Sequence, residues 1–459
     1  MTRTLAGALL ATAVVAGIVV VGLAVQRDLR YQDLLATGNR ALATDQTFAA
    51  IEAFSGAIAL RDDSMVAHLR RGEAYRTRGE PDAALRDFRA ASRADRNAVR
   101  PAELLGDVEY ELGRFARAAE AYERCVAIDD ANARIQYKLG LALFRAGDAA
   151  GAVEPLRRAV HLDPRLAEAR YALALSLRQA GQRDEAIQAF EQAVEAAPAL
   201  SAAREQLAAL YAEAGRASEG LAQLEALAAL EPDRPERQVA VALAQARAGR
   251  TDLAVGLLGR AAERYPDSAV IFVALGRVWF ESAERARDRV GLRKAIQALE
   301  PLTRGPSASS EAAALCGRAL VLSGEVPRGE VLLRQAAETL PVAPDTLLWL
   351  ADAAEQLGHY TLMRSALERW AAIAPETDPN LPAVYERIGD LSVRLGDPAA
   401  AARAWHLAAG PTASAGLLAR LAQAELASGH VDAARTAVDR GLARDPRHPV
   451  LLALQRRLQ

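Results

Sequence analysis

The stretch AEARYALALSLRQAGQRDEAIQAFEQAVEAAP, Ala167 to Pro198, decides how the rest of the chain is read. Tyr171, Leu173, Ala174 and Leu177 form one apolar stripe. Ala186, Ile187, Phe190, Ala193 and Val194 form a second, and both follow the i, i+3, i+4 spacing of a helix with one buried side. Gly181 stands where the first helix must stop, because glycine turns into the left-handed conformation at little steric cost. Pro198 closes the second helix, since it has no N–H to give and restricts the residue before it. The unit is helix, tight turn, helix, tight turn.

The same marks recur through the chain. Glycines stand at Gly79, Gly113, Gly147, Gly181, Gly215 and Gly249, in steps of 34, and Pro164, Pro198, Pro232 and Pro266 follow the last four by 17. After a disruption the rhythm resumes at Gly324 and Gly358 with Pro341 and Pro375, then at Gly396, then at Gly429 with Pro446. A fixed period of this size marks a repeat array. Units starting near residues 31, 65, 99, 133, 167, 201, 235, 269, 310, 344, 382 and 415 give twelve in all. Midway along each first helix sits Gly or Ala, from Gly38, Gly72, Gly106 and Gly140 to Gly389 and Ala422. A second small place in the next helix runs from Ala50 and Ala84 to Ala434, with Met363 the one exception. A large residue follows it, as in Phe54, Phe88, Tyr122, Leu156, Phe190 and Trp405.

This pattern resembles the tetratricopeptide repeat family over about residues 31–448. The resemblance implies an all-α fold: an α-solenoid, a right-handed superhelix of about twelve helix-turn-helix units. Physically, small residues let the two helices of a unit cross closely, and the large residue is expected to fill the gap to the next unit. Pro449–Gln459 is expected to form a capping helix over the last apolar face. Departures are local. Unit 8 carries seven extra residues around Glu281–Leu292, expected to project as a charged helical extension, and four extra residues lie within Thr377–Leu381. Asp45 replaces the turn glycine of unit 1 and Asp62 its proline.

Before the repeats, Leu5 to Val25 is an uncharged run of 21 residues. At ~1.5 Å per residue such a helix spans about 31 Å, the thickness of a bilayer core. Residues 1–30 are therefore expected to act as a transmembrane anchor, with Arg3 before the run and Arg27 and Arg30 after it. The alternative is a secretory signal cut after Gly22-Leu23-Ala24, leaving a soluble periplasmic adaptor. The expected location is a bacterial inner membrane, single-pass, with the array extracytoplasmic; a cytoplasmic array is the alternative.

The composition narrows the function classes. Bases (56) and acids (58) nearly cancel, so no global field would hold a nucleic acid. Two cysteines, Cys125 and Cys316, lie 191 residues apart and read as small core residues, and the six histidines have no partner at helical spacing. No nucleotide-binding, metalloprotease or hydrolase motif is present, so no catalytic residue, cofactor or metal is expected, and an enzyme is kept only as the alternative class.

The resemblance implies that partner proteins or peptides lie along the inner, concave groove of first helices. The places that face it give Arg134, Tyr137, Leu141, Phe144, Tyr171, Leu175 and Arg178 in units 4 and 5, residue types that anchor protein partners. Unit 3 offers Glu103, Asp107 and Tyr110, and units 10 and 11 offer the acidic stretch Asp345, Asp352, Glu355, Glu386 and Asp390, expected as an ordinary solvated face, with a groove that prefers a basic peptide as the alternative. The carboxylate clamp of some relatives would need a Lys where Leu35 stands. The expected function is a membrane-anchored, non-enzymatic scaffold for assembling an envelope complex.

Overall fold

The computed structural model describes residues 2–305 and 308–459, with side chains described from residue 18 onward. Among them the chain forms 25 α-helices and one short 3₁₀ helix, with no strand. It divides into two compact units, residues 1–223 and 224–459.

The first unit opens with α1 (Thr2–Ala43) and α2 (Thr47–Leu60), then α3 (Met65–Thr77) and α4 (Pro81–Ala94). Next come α5 (Val99–Glu111), α6 (Phe115–Ile128), α7 (Ala133–Arg145) and α8 (Ala149–Leu162). It ends with α9 (Ala167–Gln179), α10 (Arg183–Ala196) and α11 (Ser201–Glu213), and the boundary falls inside α12 (Ala217–Leu230). The second unit holds α13 (Pro235–Arg247), α14 (Thr251–Arg264), α15 (Ala269–Ala286) and α16 (Arg289–Leu299). There follow α17 (Ser310–Ser323), α18 (Val326–Glu338), α19 (Pro344–Gln356) and α20 (Tyr360–Ile373). The last are α21 (Leu381–Arg394), α22 (Pro398–Ala408), α23 (Ala415–Ala427), α24 (Val431–Arg444) and α25 (Pro449–Leu458).

The glycine turns explain the pairing. Gly181 has φ +79°, and the N–H of Gln182 donates to the carbonyl of Leu177 at 2.9 Å, closing the end of α9. The same bond pattern follows Gly79, Gly113, Gly147 and the later turn glycines, and it follows Asp45 (φ 59°) and Arg287 (φ 56°), which adopt glycine's conformation in its place. Each second helix then runs back along the first, and its large residue meets the small one. A Cβ built on Gly38 would come within 2.5 Å of the Phe54 ring, on Gly72 within 2.6 Å of Phe88, and on Gly106 within 2.6 Å of Tyr122. Gly140 with Leu156, Gly276 with Leu299 and Gly389 with Trp405 repeat the arrangement. The large residue thus fills space over the glycine of its own pair, which revises the expectation that it reaches into the next one. Trp405 is fixed further by its Nε1–H, which donates to the carbonyl of Glu386 at 3.2 Å.

Two other expectations change. The apolar run and the first repeat are one uninterrupted helix, α1, with no break near residue 30. Arg27 and Asp28, expected to belong to the anchor, hold the end of α2: Arg27 donates to the carbonyl of Leu60 and Asp28 pairs with Arg61. Tyr31 bonds Ser64 at 2.5 Å. Among the described residues no helix is long and apolar enough to cross a membrane. Residues 5–17 of the expected anchor lie outside those with described side chains, while Ile18, Val19, Val20, Val21, Leu23 and Val25 are all more than half exposed. The seven extra residues of unit 8 do not form a free projection. Five of them lengthen α15 to 18 residues against 13 in α9, and Glu284 on the added turn meets Arg318 of α17 at 3.4 Å.

Candidate functional site

Consecutive first helices are joined side by side. In the first unit Arg76 of α3 pairs with Glu111 of α5, and Arg178 of α9 pairs with Glu213 of α11 at 3.0 Å. Lys138 of α7 reaches back to Glu103 at 2.6 Å and Asp107 at 2.8 Å on α5. These partners stand about one period apart, so each ion pair links equivalent faces of neighbouring helices.

On this face α7 and α9 differ from their neighbours. Tyr137 and Tyr171 occupy equivalent places 34 residues apart, as do Leu141 and Leu175, and Phe144 matches Arg178. In α5 the same three places hold Glu103, Asp107 and Tyr110; in α11 the first holds Glu205. Tyr137, Phe144, Tyr171 and Leu175 are half-buried, packed on a core that includes Leu156, Leu173 and Phe190, with their outer edges uncovered. The Tyr171 ring stands edge-on to Phe190, centroids 5.9 Å apart. Arg134 is exposed at the near end of the stretch, and Arg178 closes the far end, its guanidinium engaged by Glu213 and Gln206.

Burial, reinforced by Glu168 beside Tyr137 and by Glu205 beside Tyr171, pushes both phenols above the usual tyrosine range. Both rings are therefore neutral at physiological pH, presenting an apolar face and a hydroxyl donor. The stretch can seat an apolar or aromatic anchor from a partner and bond its backbone through two hydroxyls. It holds no nucleophile beside a base.

Beside it, Arg76, Asp107, Tyr110, Glu111, Tyr122, Arg134, Lys138 and Leu141 line a hollow of about 240 Å³. The Tyr122 hydroxyl donates to Asp107 at 2.7 Å. Four of the groove-facing residues read from the sequence, Asp107, Tyr110, Arg134 and Leu141, line this hollow. Lys138 and Tyr122 were not among them: Lys138 lies one place off the groove-facing pattern, and only the length of its side chain brings its ammonium there.

The acidic stretch expected in the second unit is neutralised. Arg420 of α23 bonds Glu386 and Asp390 of α21, each at 2.7 Å. Arg387 pairs with Glu355 and, at 3.7 Å, with Asp352, which Arg318 reaches at 3.5 Å. Four of the five carboxylates named from the sequence therefore face a guanidinium. Their charge was legible, but their partners lie about 30–34 residues away on the neighbouring first helix.

Both cysteines are fully buried free thiols, and burial pushes each up to about 12. At neutral pH they are inert core residues rather than nucleophiles. No group of histidine, cysteine, aspartate or glutamate side chains among the described residues could hold a metal ion.

Tetratricopeptide repeat family models match residues 103–167, 167–200 and 239–268, so these stretches carry tetratricopeptide repeats. It is similar to the small glutamine-rich tetratricopeptide repeat-containing protein 2 of Mycosarcoma maydis, 35% identical over 111 residues, which are 24% of this chain and 31% of that protein. The chain thus spans less than a third of that relative's length. Among solved structures it is similar to MamA, at 28% identity over 35% of this chain and 95% of that one, TM-score 0.34. It is also similar to YrrB, described as a TPR protein with an unusual peptide-binding site, at 24% identity over 40% of this chain and 95% of that one, TM-score 0.37. The C-terminal part of a TPR repeat-containing protein from Cytophaga hutchinsonii matches at 15% identity over 52% of this chain and 99% of that one, TM-score 0.45.

Proposed function

We propose that the chain is a non-enzymatic scaffold that holds partner proteins or peptide segments in a concave groove formed by its first helices. The observation that carries this reading is the stretch Tyr137, Leu141, Phe144, Tyr171 and Leu175, half-buried side chains with uncovered outer edges. The polar neighbours around it are already paired with one another. Affinity comes from covering those edges, and Arg134 and Arg178 at the two ends set the partner's register. Replacing Tyr137 and Tyr171 together by Ala tests this: partner retention is lost while the helical circular dichroism signal is kept. Retention at wild-type strength moves the site elsewhere.

Residues 5–25 anchor this scaffold in a bacterial inner membrane, with the array on the extracytoplasmic side, where the partners belong to an envelope assembly. The exposed apolar residues from Ile18 to Val25 support this part of the reading. Carbonate extraction checks it: the full chain stays with the membrane pellet and a chain lacking residues 1–25 is released. A protein recovered from the soluble fraction with an N-terminus beyond Ala24 identifies it instead as a free periplasmic adaptor.

A further inference from the structure

At the seventh place of the first helix five regular pairs bury a leucine: Leu139, Leu173, Leu207, Leu350 and Leu421 are all less than a tenth exposed. In α15 the equivalent residue, Leu275, is only half-buried, and so are Phe272 and Trp279 on the same side. The second helix of this pair explains why. Regular second helices such as α8 and α10 run for 14 residues, whereas α16 has 11 and ends at Leu299, because Pro301 cannot donate the next helical bond. The chain leaves as a 3₁₀ turn, Glu300–Thr303, and the last turn of helix that would cover α15 is missing.

What remains is a cavity of about 760 Å³, within the roughly 300–1,000 Å³ typical of small-molecule sites. Phe272, Leu275, Trp279 and Leu302 make its apolar walls. Its charged groups fall at two ends, as the antiparallel pair requires. Asp267 and Arg304, of opposite sign, line the end near the start of α15. At the other end Lys294 holds its ammonium 4.2 Å from the centre of the Trp279 ring, and among the described residues no carboxylate pairs with it. The eight residues from Phe272 to Trp279 span about 10 Å of helix, long enough for a medium-length hydrocarbon chain.

We propose that this cavity binds an amphipathic carboxylate of the medium-chain fatty acid class. The hydrocarbon lies along Trp279, Leu275, Phe272 and Leu302, and the carboxylate meets Lys294. This site is independent of the first-helix face and of the partner reading. Burial of the chain supplies the affinity, and the Lys294 ammonium beside Trp279 selects an acid over the corresponding alcohol.

Isothermal titration of the full chain with decanoate tests this, with Trp279 fluorescence as a second readout. The expected result is a saturable one-to-one component. Decanol should bind at least about fivefold more weakly, and Lys294→Gln should bring decanoate down to the level of decanol. Ala298→Phe, which fills the cavity, should remove the component for both ligands. Lys294 is exposed, so its replacement leaves the fold intact and keeps the test decisive should Ala298→Phe fail to fold. Absence of saturable binding, equal affinity for decanoate and decanol, or binding unchanged by either substitution overturns the proposal.

Discussion

The first-helix face of α7 and α9 and that of α19, α21 and α23 are built on the same crossing and carry opposite linings. In both stretches a small residue lets the second helix close in, Gly140 under Leu156 in one and Gly389 under Trp405 in the other. Yet α7 and α9 present aromatic and aliphatic edges, whereas α19 and α21 present carboxylates already held by Arg387 and Arg420. An exposed ion pair that is satisfied within the protein gains little from a partner, because binding must first desolvate both charges. An uncovered aromatic edge gains by being covered. The backbone therefore sets where a partner could lie, and the lining decides where binding energy is available.

Breaking the aromatic lining gives the largest expected effect. Tyr137→Ala with Tyr171→Ala should weaken partner binding by roughly 100-fold or more, as loss of central aromatic anchors does. Arg420→Gln should change it less than about threefold. Equal losses from the two variants would erase the contrast.

Gly140→Leu and Gly389→Leu test the shared scaffold. Each forces a side chain into a space already filled, and each should cost about 1–3 kcal/mol or more, seen as a lower melting temperature. A large effect at one site alone would mean that the two stretches do not rest on the same crossing.

Alkaline pH should separate the two compact units. Tyr122, Cys125, Tyr137, Tyr171 and Tyr211 in the first all have raised values, Tyr211 and Cys125 reaching about 12, chiefly through burial. In the second, Cys316 is the one phenol or thiol among the described residues raised in this way. In the unfolded chain thiols ionise near pH 8.5 and phenols near pH 10, before their folded counterparts do. The unfolded state therefore releases protons first, and stability present below that range falls as pH rises toward 12. Limited proteolysis between pH 9 and 12 should cut residues 1–223 before residues 224–459. The reverse order contradicts the assignment of these burial effects.

The smallest effect is on stability at the ion-paired face. Arg420→Gln should change it by less than about 1 kcal/mol in thermal unfolding, because the pair is partly solvated.

The repeat was legible because its marks are local: a turn glycine, a closing proline and small residues at fixed offsets each follow from the geometry of one helix pair. Asp45 was readable as a turn residue for the same reason. The pairing of Asp352, Glu386 and Asp390 was not, because each partner sits on a neighbouring helix and the sequence does not say how far an arginine reaches. The uncovered wall of α15 was hidden for a related reason. The extra residues and Pro301 could both be seen, but the cavity depends on where α16 stops relative to Leu275, which only packing decides. The continuity of α1 past residue 30 is not legible, because a change from apolar to charged composition does not by itself end a helix.

The most direct test places a photo-crosslinking residue at Leu141, Leu175 or Gln423 in native membranes and maps the products by mass spectrometry. The account predicts one partner segment captured from both Leu141 and Leu175, lost when Tyr137 and Tyr171 are replaced by Ala, and no such product from Gln423. Capture of the same segment from Gln423, or none from Leu141 and Leu175, would contradict it.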